Sequence, residues 1–473
     1  MLGPGRPERV TTQRRRPLPT GLPAEPVGQG VLDQFFAELT EQVRRAMVHW
    51  NVPGAAIALH YYGYQWTAGI GVTNVDYPLP VNEQTLFQVG GLTKLITGLA
   101  VALLVEQGQL ELDAPVRSFL PTFRVADARA SEQVTLRQLL NHTAGWFGDL
   151  PPSDETGLDA IARYVDQLAG APQLLPPGRA FSYNEAAFAV AGRVVEVRTG
   201  RFYATAMREL VFAPLGMEHA SFLPREVITA RHTAGHQVEG GGLRPLNPWA
   251  RVGRGLDPAL GLAASAADLL RLGRLLLGLP VGRFTLAPET LTLLLEPTSD
   301  AGVLGREEFA GFALATMVWQ AGEERYYGQS GQSATHASRL IIHPPADFVL
   351  VLLMNSSTGE AAIAEVLPAA LARYTGIVLR PPVLLTGPAS QLSEYAGRYG
   401  FTDSRLGPIL EISVQDGALQ LERDGVVRIV PTGQDTVVLA DGPQRGVRAE
   451  FLRDREGNVG WLRLDGKVYP RLR

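Results

Sequence analysis

Only two of the 43 basic residues in this chain are lysines. One, Lys94, heads an apolar run, Gly90-Gly91-Leu92-Thr93-Lys94-Leu95-Ile96-Thr97-Gly98-Leu99-Ala100. Arginine and lysine both supply solvated charge, but only an ammonium is compact and sheds its proton when desolvated. A lysine retained against this arginine background points to a tight, dry site that needs an amine. Gly91 lies three residues earlier, on the same face of the predicted helix. Enzymes that pair a serine nucleophile with a lysine base use this spacing, and here the earlier position carries no side chain. Gly90 and Gly91 also expose backbone N–H groups at a helix N-terminus beside a cation, a combination suited to a carboxylate or phosphate. The second lysine, Lys467, follows an Asp465-Gly466 turn signal and reads as an ordinary surface charge.

Other candidates are weaker. Gly328-Gln329-Ser330-Gly331-Gln332 approaches a Gly-x-Ser-x-Gly nucleophile elbow, but Gln332 breaks it and a strand follows where a helix is required. Ser330 is better placed to hydrogen-bond a ligand. His232 and His236 have i, i+4 spacing, yet no carboxylate completes a metal motif, so they read as a solvated pair on a loop. No metal or cofactor is expected. With Cys 0, disulfide and thiolate chemistry are excluded, and the net charge of −4 argues against nucleic acid.

The elements that must position these residues follow from periodicity. Leu32, Phe35, Phe36, Leu39, Val43, Met47 and Trp50 place a helix over 31–50, stopped by Asn51-Val52-Pro53-Gly54. Strands are predicted over 55–62 and 65–72, then the Lys94 helix ending near Gly108. The apolar run 95–105 is too short to span a bilayer and reads as a buried core helix. Helices alternate with Pro/Gly loops over 114–288, clearest at 186–198 and 266–277, and 239–258 reads as one long loop. Strands follow over 309–319, 324–328, 338–343 and 348–354, with a closing helix over 361–374. This order predicts an α+β fold: an antiparallel sheet flanked by a terminal helix pair, beside an all-helical lobe. From 392 onward Asp-Gly pairs separate short alternating strands, the pattern of a small all-β barrel. The expected division is a Pro/Arg-rich leader (1–30), a main domain (31–376), a linker (377–391) and the barrel (392–473). The leader lacks the apolar segment of an export signal, so a cytoplasmic location is expected.

Several further segments carry a family resemblance. They are Asn51-Val52-Pro53-Gly54, Thr85-Leu86-Phe87, the stretch from Gln107 to Val116, Leu136 to Gly145, Pro177-Gly178 with Phe181-Ser182-Tyr183, and Pro214-Leu215-Gly216-Met217. Over residues 28 to 376 the chain resembles the serine β-lactamase and penicillin-binding-protein superfamily, in its esterase-like branch. The tail resembles the lipocalin-like barrel often appended to these hydrolases. The resemblance implies the β-lactamase/transpeptidase-like fold and three catalytic motifs, and this chain departs from all three. The Ser-x-x-Lys serine falls on Gly91, Tyr-x-Asn falls on Tyr183-Asn184-Glu185, and Lys/His-x-Gly falls on Gln329-Ser330-Gly331. A glycine cannot form an acyl-enzyme.

In that family the asparagine lies near the lysine, so Glu185 is expected to pair with the Lys94 ammonium and disfavour its service as a base. One outcome is a purely structural ion pair. A second is a cleft that binds a small acidic or acylated molecule or a peptide end, lined by Gly91, Gln329, Ser330, Gly331 and Trp146. A third is acid–base chemistry by Lys94, Tyr183 and Glu185 without a covalent intermediate. His142, in Asn141-His142-Thr143, matches a family turn and reads as structural; Trp146 and Phe147 follow it at the rim or in the core.

Overall fold

The apolar stripe Leu32, Phe36, Leu39, Val43 and Met47 is the buried face of α1 (Gln29–His49). The computed structural model describes residues 29–151, 156–246, 253–385, 392–423, 425–442 and 444–472. Residues 1–28 of the expected leader and 386–391 of the expected linker lie outside these. α1 leads into a hairpin of β1 (Gly54–Tyr61) and β2 (Tyr64–Gly71). After the helical lobe come β3 (Gly302–Val303), β4 (Glu308–Phe312), β5 (Met317–Ala321), β6 (Glu324–Gln332), β7 (Ala337–His343) and β8 (Phe348–Met354). They form one antiparallel sheet in the order β2-β1-β8-β7-β6-β5-β4-β3. β1 and β8 pair from Ala55↔Met354 to Tyr61↔Phe348, which brings the two ends of this region together.

Burial on both faces explains why β8 reads as an unbroken apolar run rather than an alternating one. Phe348, Leu350, Leu352 and Met354 point into a core shared with α1 and the closing helix, Gly359–Thr375. Val349, Val351 and Leu353 point into the core of the helical lobe. At the centre of that lobe is α2 (Thr93–Glu106), buried at every position from Thr93 to Leu104. A helix apolar all round is a core helix. Among the described residues no helix is long and apolar enough to cross a membrane.

Two expectations are corrected. The predicted strand 309–319 is two strands, β4 and β5, separated by a turn with Ala315 at φ 63°. The predicted long loop opens as a hairpin, Gly235–Glu239 paired with Gly242–Leu246, and ends in a short helix, Asp257–Leu260; residues 247–252 lie outside the described set. Gly240 and Gly241, at φ 57° and 83°, form its two-residue turn. His236 is therefore buried on a strand rather than solvated on a loop. Its Nδ1 lies 2.9 Å from the Asn355 carbonyl, and its Nε2 accepts from the Val75 N–H.

The tail is an eight-stranded antiparallel meander between Gly397 and Pro470, and each strand pairs with its sequence neighbour. A bridge between Tyr399 and Arg471 brings its two ends together, giving a nearly closed barrel. It has its own core, from Tyr399 and Leu410 to Phe451 and Leu464. The barrel also docks on the main sheet through Arg463, whose side chain is fully buried. Its guanidinium donates to Asp300, Glu450 and the Phe181 carbonyl.

Candidate active site

The site forms where the N-terminal turn of α2, the N-terminus of α3 (Glu185–Thr199) and the end of β6 meet. Gly90–Leu92 is a tight turn leading into α2. It lies so close to β6 that side chains are excluded: a Cβ on Gly331 would stand 1.9 Å from the Val89 carbonyl oxygen, and one on Gly90 would stand 3.0 Å from that of Gln332. Gly90 also sits at φ 51°, a region glycine tolerates. Gly91 does not share the left-handed backbone of Gly90. A Cβ there would stand 3.2 Å from the Tyr183 hydroxyl, 3.6 Å from Lys94 Nζ and 2.9 Å from the Ser330 carbonyl oxygen. A side chain at position 91 would thus point into the middle of the site.

Lys94 is fully buried. Its ammonium lies 3.8 Å from Glu185 Oε1, donates to the Ala259 carbonyl at 3.4 Å, and stands 4.8 Å from the centre of the Tyr183 ring. Glu185 is the first residue of α3, where a carboxylate also suits the helix dipole. The residue that aims this helix is Asn184. Its side chain accepts from the Ala187 N–H at 2.8 Å and donates to the Trp146 carbonyl at 2.9 Å. Sequence reasoning passed over Asn184, although an asparagine before an apolar helical run is an N-cap signal.

His142 stacks on Tyr183 at 4.4 Å, and its Nδ1 accepts from the Asn184 N–H at 2.9 Å. Burial and then the nearby Lys94 charge hold its pKa well below the ordinary histidine value. The imidazole is expected to be neutral at pH 7, with an NMR-detected titration midpoint below that of a free histidine. Because the unfolded chain protonates near pH 6.5, its contribution to stability falls as pH drops below that value.

The remaining predicted lining residues separate. Ser330 lines the cavity with Gly91, Tyr183 and Glu185. Gln329 is fully buried and donates to the Ala315 carbonyl at 2.9 Å. Trp146 is also fully buried, against Phe123, so it packs in the core rather than at the rim. Phe147 meets Phe401 of the barrel. Thr93 accepts from the Leu262 N–H. No cluster of metal-binding side chains occurs among the described residues.

Lys467 is the larger correction. It is not an isolated surface charge but a wall of the same cavity. The turn Asp465-Gly466 inserts beside the site, where the Gly466 carbonyl accepts from the Tyr183 N–H at 2.8 Å and the Val468 N–H donates to Ser182 Oγ. The Lys467 ammonium is held by Asp149 Oδ2. Burial works against that charge, but Asp149 and then Glu185 outweigh it, so its pKa is raised. The cleft, of about 1200 Å³, runs from Gly91 to the segment 376–381, with Lys467 in its wall and Lys94 fully buried 3.8 Å from the lining residue Glu185.

The Beta-lactamase family matches residues 32–373 of this chain. The chain belongs to that family. Penicillin-binding protein 4 of Amycolatopsis lactamdurans is 31% identical over 365 residues, covering 74% of this chain and 93% of that protein. Esterase EstB of Burkholderia gladioli is 39% identical over 172 residues, 33% of this chain and 43% of the esterase. A crystal structure of SurE with D-Leu superposes with a TM-score of 0.75 at 25% identity, covering 92% of this chain and 99% of that one. An octameric penicillin-binding protein homologue from Pyrococcus abyssi shares the fold with a TM-score of 0.63 at 22% identity, over 93% of this chain and 98% of that chain. The chain's relatives in this family thus include a penicillin-binding protein and an esterase.

Proposed function

We propose that this member of the family holds its ligand in the shared cleft without forming an acyl-serine at position 91. The ligand class is a small acidic or acylated molecule, or a peptide end. The carrying observation is the direction of residue 91: its Cβ would point at the Tyr183 hydroxyl and Lys94 Nζ, yet the residue is glycine. The same position in Ser-x-x-Lys spacing is where the family's nucleophile is expected, and Lys94 and Tyr183 remain in place around it.

Charge supports the ligand class. The cleft wall presents the Lys467 ammonium and the Glu185 carboxylate, so both ends of a zwitterion find a partner. An amino acid or a peptide terminus fits such a wall. The SurE structure, which contains D-Leu, supports the same class by similarity. Lys467 is partly exposed, with 42% of its side-chain surface accessible, so it can transfer a hydrogen bond from Asp149 to a ligand carboxylate.

Calorimetric titration of the full chain with D-Leu and with N-acyl-D-amino acids tests this. Binding is expected, and Lys467→Gln is expected to weaken it by about tenfold, the value of roughly 1.4 kcal/mol expected for one charge-assisted hydrogen bond. Absence of binding, or equal affinity in the variant, counts against the assigned ligand class.

A further inference from the structure

Resting on that reading of residue 91, we propose a further activity: direct hydrolysis of activated acyl groups by a water molecule bound in front of Gly91. The space a side chain would take there faces three polar groups. Measured from the Cβ position, these are the Tyr183 hydroxyl at 3.2 Å, Lys94 Nζ at 3.6 Å and the Ser330 carbonyl oxygen at 2.9 Å. An ordered water needs two to four polar partners, and these three groups surround the space that the missing side chain leaves. Gly91, Tyr183 and Ser330 all line the cleft, so a bound acyl group has access to this position.

Tyr183 is held for the purpose from both sides. Its ring stacks on His142, its N–H is fixed by the Gly466 carbonyl, and the Lys94 ammonium stands 4.8 Å from the ring centre. In the proposed step the water oxygen bonds to the acyl carbon, and the bond from that carbon to the departing oxygen or sulfur breaks. The proton lost by water passes to the Tyr183 oxygen, while the Tyr183 proton passes to the leaving atom. The phenol ends unchanged, and the products are a carboxylic acid and an alcohol or thiol. Lys94 favours the negative charge that develops beside it, because a buried cation acts strongly in a water-poor site. The substrate class is an ester or thioester of the acidic or peptidyl ligand assigned above.

The test uses the full chain with a nitrophenyl ester and a thioester of an N-acyl-D-amino acid. Hydrolysis is expected about 10²-fold or more above the buffer rate, within the range that positioned proton transfer supplies. It should show no burst, and intact mass should show no acyl adduct. Tyr183→Phe should lower the rate by about 10²-fold while ligand affinity by calorimetry stays the same. A rate equal to the buffer rate, or unchanged in Tyr183→Phe, overturns the inference; if binding persists, the binding reading survives that failure. An acyl adduct on the native chain overturns both.

Discussion

Gly91→Ser is expected to give a chain that forms a covalent adduct with a fluorophosphonate probe and with activated esters, where the native chain forms none. The backbone conformation at this position does not resist the substitution. Residue 91 does not occupy the left-handed backbone region, unlike its neighbour Gly90 at φ 51°. Its new Cβ would stand 3.6 Å from Lys94 Nζ and 3.2 Å from the Tyr183 hydroxyl, but only 2.9 Å from the Ser330 carbonyl oxygen, so the backbone of β6 must shift for the serine to fit. The hydroxyl, one bond further out, then comes within reach of an amine and a phenol. Nucleophile and base within hydrogen-bond reach are the geometric signature of covalent catalysis. Ester turnover should rise by at least about 10²-fold over the native chain. Glu185 is expected to limit that gain, because its carboxylate sits 3.8 Å from the amine where the resembled pattern has asparagine. The double variant Gly91→Ser/Glu185→Asn should therefore react faster than the single one. Intact mass and probe labelling decide the matter. Labelling of the native chain would move the nucleophile to Ser330 or another hydroxyl, and labelling of neither variant would break the proposed correspondence of residue 91 with the family's serine.

The parts of this site that were legible in the sequence are those written locally. Scarcity of lysine singled out Lys94, and the three-residue spacing tied it to Gly91. Glu185 was found because it follows Tyr183 by two residues in a known pattern. Lys467 was read wrongly for the opposite reason: its partner Asp149 is 318 residues away. The Asp465-Gly466 signal correctly marked a turn between strands, but turn chemistry says nothing about what a turn docks against. Gly240-Gly241-Gly242 shows the same limit at short range. A glycine run satisfies a structureless loop and a two-residue hairpin turn equally, and only the pairing of Gly235–Glu239 with Gly242–Leu246 separates them. Trp146 and Phe147 differ by one residue, and the fold sends the first into the core and the second against the barrel. The sheet was more readable than the site because β1 and β8 are apolar on both faces, which leaves the interior as their only place.

Glu185→Gln is expected to destabilise the fold more than Lys94→Met, by a margin that follows from where each charge would be left. Lys94 is fully buried, whereas 26% of the Glu185 side chain is exposed at the cleft. Removing the lysine leaves a carboxylate that water can still reach from the cavity. Removing the carboxylate leaves an ammonium with only the Ala259 carbonyl at 3.4 Å and the faces of Tyr183 and Phe188 at 4.8 and 5.7 Å. Leaving one partner of a buried pair uncompensated costs about 3–5 kcal/mol, while replacing both is often close to neutral. Glu185→Gln should approach that cost, Lys94→Met should fall below it, and the double variant Lys94→Met/Glu185→Gln should recover most of the loss. Urea denaturation of the four proteins at one pH gives the coupling energy directly, provided the slopes agree. A coupling near zero would mean that the 3.8 Å separation carries no stabilising interaction between the two groups. In that case the carboxylate at position 185 would be better explained by ligand binding than by a structural role, because the fold would gain nothing from holding it beside Lys94.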